Sequence, residues 1–170
     1  MISHENQKPK SISGRSQKDL TNEIFQRVIK LKLKLINQYH KMYQESSLDH
    51  VRKILTKVEN SEKEDTELIK SAIETGSLDE LSPDSQPVDY EMLDHIIAED
   101  SDETDPNDLR SVLIFAMKMS NDFSKIFSLM AEEYKGLQVT NALRVLTDRE
   151  LDMKNYLTNL YDDLINKDYW

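Results

Sequence analysis

Apolar residues recur at alternating intervals of three and four between residues 25 and 42, where Phe25, Val28, Leu35, Tyr39 and Met42 form a stripe interrupted by Lys32. That spacing lines one face of an α-helix. Leu113, Ala116, Phe123, Phe127 and Met130 repeat the stripe 88 residues later, interrupted by Ser120. A second stripe, Val51, Leu55, Val58, Glu62, Asp65, Ile69 and Ala72, maps at the same offset onto Val139, Leu143, Leu146, Glu150, Met153, Leu157 and Leu160. Ten of these thirteen pairs are apolar on both sides. The other three, Lys32/Ser120, Glu62/Glu150 and Asp65/Met153, fall in mid-stripe and not at the ends.

The pattern predicts four helices and no strand. The first runs from about Leu20 to Glu45 and breaks at Ser46-Ser47, where Ser47, Asp49 and His50 can start the second. The second reaches about Thr75 and is stopped by Gly76. The third opens with Asp105 as N-cap, Pro106 at the first helical position and Asp108 in the first turn, and ends near Gly136. The fourth runs from Val139 or Thr140 to Asn166. Residues 1–19 are polar and aperiodic and read as a disordered tail, so the folded unit spans 20–166, with 167–170 as its C-terminal end.

Between Gly76 and Asp105 lies an acidic connection far longer than the few residues that join antiparallel neighbours. A helix of about 28 residues is roughly 42 Å long, and this segment suffices to return along it. Within it, Tyr90, Met92, Leu93, Ile96 and Ile97 could form a short amphipathic helix on the bundle. The acidic stretch reads either as a solvated loop with a few anchors or as a docking site for a basic partner. Two hairpins with short turns, joined by one long crossover, make an all-α four-helix bundle of ferritin-like topology.

With 170 residues, 38% of them hydrophobic, the chain supports one domain with a core. A net charge of −10 and scattered Lys and Arg argue against nucleic-acid or anionic-membrane binding. The absence of cysteine excludes disulfides, iron–sulfur clusters, zinc knuckles and a thiol nucleophile. No apolar leader segment and no run of about 18 apolar residues occurs, so a soluble cytoplasmic protein is expected. His4, His40, His50 and His95 share no ligand spacing, and Met42, Met117, Met119, Met130 and Met153 read as core filling.

Over residues 20–166 the chain resembles a rubrerythrin-type member of the ferritin-like superfamily. In that family each half supplies a Glu seven residues before an aromatic on its first helix and a Glu-x-x-His on its second, and these ligands hold two iron ions. The stretch from Glu150 through Leu157 and Leu160 to Tyr161 follows the family pattern. The positions seven before Tyr39 and Phe127 are Lys32 and Ser120, and the second-helix motifs read Glu62…Asp65 and Glu150…Met153. Both motif Glu residues remain, both His are gone, and Asp65 could stand in for one ligand. The resemblance implies the bundle and, by the family's habit, a homodimer. Its iron chemistry, peroxide reduction or ferrous oxidation, does not carry over directly.

Lys32 places a fixed positive charge in the apolar stripe that faces Glu62 and Glu150. One reading is a metal-replacing polar network of Lys32, Glu62, Ser120 and Glu150, with Asp65 as a further member, and no cofactor. Another has the lysine stem packed and its head snorkelling to solvent, with the two Glu residues on the helix surface. A third uses Glu62, Asp65 and Glu150 as a carboxylate site for Fe, Mn or Mg. The corresponding functions are a non-catalytic structural or partner-binding bundle, or an iron or manganese protein with non-haem oxidoreductase or peroxidase activity. No catalytic residue is assigned. Leu31, Leu33, Ile36, Ile114 and Phe115 offer surface for dimerisation, and the acidic crossover or the basic tail could dock another protein.

Overall fold

A computed structural model describes residues 17–75, 103–135 and 138–168. Among them are four long helices and no strand: α1 (Gln17–Glu45), α2 (Asp49–Thr75), α3 (Leu109–Glu133) and α4 (Gln138–Asp168). α1 starts inside the expected tail and α4 runs slightly past its expected end. The remaining tail residues, both connection glycines and the Tyr90–Ile97 segment lie outside the described residues.

The stripes are the core. All their members are buried except Met153 and Leu160, which are half-buried. Full burial of a Leu, Phe or Met side chain stabilises by about 1.5–3 kcal/mol, so this one continuous cluster dominates the folding energy. Leu31, Ile36 and Phe115, expected on a dimer surface, belong instead to the chain's own interior. The reason is that α1 packs against both α2 and α3, so one stripe does not exhaust its buried circumference. Leu33 and Ile114 are exposed, at 45% and 52%.

Helix directions follow from named contacts. Phe25 stacks on Tyr134 with ring centroids 6.3 Å apart, and Tyr39 meets Phe115 edge-on at 5.9 Å, so α1 and α3 are antiparallel. Asp65 pairs with Arg149 and Lys57 covers Tyr156, which makes α2 and α4 antiparallel as well. Asn107 Oδ1 accepts from Ser47 N at 2.8 Å and from Ser47 Oγ at 3.1 Å. The starts of α2 and α3 therefore lie at one end of the bundle.

The opening of α3 departs from expectation. Its N-cap is Asp108, whose side chain accepts from Arg110 N at 3.2 Å and from Ser111 Oγ at 2.7 Å. Asp105 accepts from Asn107 N at 2.9 Å and so closes a turn around Pro106. Two aspartates three residues apart compete for one role, and the one nearer the apolar run caps the helix. At the other end α3 stops at Glu133, ahead of Gly136, and Tyr134 accepts from Thr140 Oγ1 through its carbonyl.

Candidate functional site

The polar interruptions of the stripes converge in the bundle interior. Lys32, from the middle of α1, is completely buried, as are Glu62 and Asp65 of α2 and Glu150 of α4 at 1–3% exposure. Lys32 Nζ donates to Glu62 Oε2 at 2.6 Å and to Glu150 Oε1, and lies 3.5 Å from Asp65 Oδ2. The lysine head does not snorkel, and neither Glu62 nor Glu150 faces solvent. Above the ammonium lies the Phe123 ring, 3.8 Å from Nζ to its centroid, with Phe127 at 5.5 Å. An aromatic face attracts a cation and excludes water from it, which strengthens each ion pair beneath.

A second cation enters from the rim. Half-buried Arg149 donates through Nε to Asp65 Oδ1 at 2.6 Å and through a terminal nitrogen to exposed Glu64 Oε2 at 2.8 Å. Asp65 thus links the buried lysine to the surface arginine. Arg149 was not among the residues singled out from the sequence, and its only signal there was adjacency to Glu150. Ser120 is buried on α3, but among the described residues its hydroxyl makes no hydrogen bond to Lys32 or to the carboxylates. Met153 is half-buried and packs against the core.

Burial weakens the lysine's hold on its proton, but the fields of Glu150, Glu62 and Asp65 outweigh it and lift Lys32 above the ordinary lysine range. The ammonium is charged at any physiological pH. Burial pushes Glu150 well above the ordinary carboxylate range; Lys32 pulls it back and Glu62 pushes it further. Glu62 is raised for the same reason, burial first, against the pull of Lys32. Three carboxylates face one buried ammonium and one rim guanidinium, so full ionisation would leave one negative charge uncompensated. Burial and the mutual repulsion of the carboxylates therefore both favour the protonated forms of Glu62 and Glu150. The hydroxyl of buried Tyr39 is also pushed up, by burial and then by Glu62 and Glu150, and stays neutral.

Oxygens of Glu62, Asp65 and Glu150 come within 4.8 Å of one another, a spacing that a metal ion could bridge. Yet the Lys32 nitrogen already sits where those oxygens converge. A cation held by the same oxygens would lie against the ammonium in a low-dielectric interior. The two-iron centre that the resemblance implies does not fit this donor set: the positions expected to supply its first-helix carboxylates hold Lys32 and Ser120, and among the described residues no imidazole reaches the cluster. His40 is on the surface, 3.2 Å from Glu59, and His50 is exposed.

Fold and site together define an all-α four-helix bundle with a buried lysine–tricarboxylate centre. Compared with protein families, with curated proteins and with solved structures, the chain matches none. Among the described residues no helix is long and apolar enough to cross a membrane.

Proposed function

We propose that this chain is a ferritin-like bundle of rubrerythrin type in which a lysine-centred ion network stands in place of the diiron centre, and that it serves as a non-catalytic structural or partner-binding protein. The observation that carries this reading is the position of Lys32 Nζ, in contact with carboxylates from both helical hairpins where the family's metals would lie. Support for the topology comes from the Ser47–Asn107 contact. That contact puts the starts of α2 and α3 at the same end of the bundle, the arrangement expected of two hairpins in the ferritin-like order. Exposed Leu33 and Ile114 are the remaining candidates for a homodimer surface.

The test is elemental analysis after anaerobic incubation with Fe(II) and Mn(II) and extensive buffer exchange. The parent chain and a Glu62→Ala/Glu150→Ala control are both expected to hold essentially no metal. A variant combining Lys32→Glu, Asp65→His, Ser120→Glu and Met153→His, which restores the family's ligand set, should approach about two ions per chain. Metal in the parent that the control loses would overturn the reading and favour an iron or manganese carboxylate protein.

A further inference from the structure

Outside the buried centre, one feature of the surface combines shape with unsatisfied charge. A groove of about 620 Å³ opens between α2 and α4. Its α2 wall carries Lys53, Lys57 and Asn60 at intervals of four and three, and its α4 wall carries Asp152 and Tyr156. Elsewhere on α2, Lys63 and Lys70 pair with carboxylates of their own helix. Lys53 and Lys57 pair with none among the described residues, although Asp152 lines the same groove. Lys57 instead lies over the Tyr156 ring, 3.6 Å from its centroid, which holds the ammonium at the groove wall.

The other end of the groove is built differently. Arg149 is fixed there by Asp65 below and Glu64 beside it, so its charge is already matched. The groove is therefore polarised along its length. At one end two ammonium groups, one helical turn apart, offer up to six N–H donors and two charges. Towards the middle and far end, Asn60, Asp152 and Glu64 offer acceptors that suit hydroxyl donors. Two adjacent lysines match a dianionic phosphoryl group, which accepts from several donors at once. Carboxylates further along would repel a second anionic group and accept from a polyol. The volume falls in the range of small-molecule sites.

We propose that the α2–α4 groove binds a hydroxyl-rich phosphomonoester, a sugar phosphate or mononucleotide, with its phosphoryl group between Lys53 and Lys57 and its hydroxyls directed to Asn60 and Asp152. This site is independent of the metal-free reading of the bundle centre, from which it is separated by the Arg149–Asp65 pair.

The test is titration of the full chain with ribose 5-phosphate, AMP, inorganic phosphate and unphosphorylated ribose, followed by calorimetry and by NMR. The expected result is saturable binding of ribose 5-phosphate or AMP, weaker binding of inorganic phosphate and none of ribose. Lys53→Ala/Lys57→Ala should weaken the phosphoester by about tenfold or more. Lys63→Ala, an exposed α2 lysine paired with Glu59 outside the groove, should leave it unchanged. A further variant, Asp152→Asn, should weaken ribose 5-phosphate and not inorganic phosphate. No saturable binding of any phosphorylated probe, or equal binding by the double-lysine variant, overturns the proposal. Because these lysines lie on the surface, their replacement leaves folding intact, which the unchanged thermal melting of the variants will verify.

Discussion

Lys32 on α1 and Ser120 on α3 occupy equivalent places in the repeat and both are buried, yet Lys32 touches three carboxylates and Ser120 hydrogen-bonds to none of them. The same contrast runs through the second stripe. Asp65 holds two cations, whereas its counterpart Met153 packs as an apolar side chain. The first hairpin supplies the ammonium and two carboxylates; the second supplies one carboxylate and the aromatic cover of Phe123 and Phe127. Duplicated packing therefore tolerates unequal chemistry, provided the charges are compensated across the interface. Neither hairpin could bury its polar residues alone, because Glu150 would lack its ammonium and Lys32 its aromatic lid. The centre thus ties the hairpins together as well as filling the space between them.

The sharpest way to break this contrast is to remove its two members separately. Lys32→Ala leaves three buried carboxylates without their shared cation and should cost about 3–5 kcal/mol. Ser120→Ala removes a hydroxyl without such partners and should cost about 1 kcal/mol or less. Urea denaturation of the two variants measures both, and equal small losses would show that the lysine is incidental.

A smaller effect is expected with pH. Glu62 and Glu150 bind their protons more tightly in the folded chain than in the unfolded one. Their contribution is complete below the ordinary carboxylate value and is lost as pH rises through the raised folded values. Stability should fall as pH rises over that window. The raised Lys32 adds no slope there, because its contribution is lost only as pH rises through its own folded value, above the ordinary lysine range. Glu150→Gln should flatten the profile, since the amide stands in for the protonated acid. Denaturation midpoints from mildly acid to mildly alkaline pH would reveal a slope of the opposite sign, if there is one, and with it a fully ionised centre.

The smallest effect belongs to the rim. Arg149→Ala leaves the Lys32 contacts in place and removes a partly solvated pair, so its cost should be about 1 kcal/mol or less. Thermal melting at low and high salt checks this, because the rim pair is screened and the lysine centre is not. A loss as large as that of Lys32→Ala would mean that Arg149 carries the centre.

Periodicity alone specified the helices and their inward faces: from Phe25 to Leu157 every stripe residue but half-buried Met153 is core, and the polar interruptions Lys32, Glu62, Asp65, Ser120 and Glu150 are buried with the rest. That much is legible because side chains three and four residues apart must share a face whatever the helix packs against. The internal repeat likewise identified Lys32, Glu62, Asp65 and Glu150 as a set. It could not tell that Ser120 stands aside, that Asp108 and not Asp105 caps α3, or that Leu31, Ile36 and Phe115 are interior. Nor did it single out Arg149, which lies off the stripes and reaches Asp65 from the neighbouring helix. Those outcomes depend on the rotation and axial offset of each helix against two neighbours, which the packing of all four settles together. A stripe says which groups point inward, and only the assembled bundle decides which of them come within hydrogen-bonding distance.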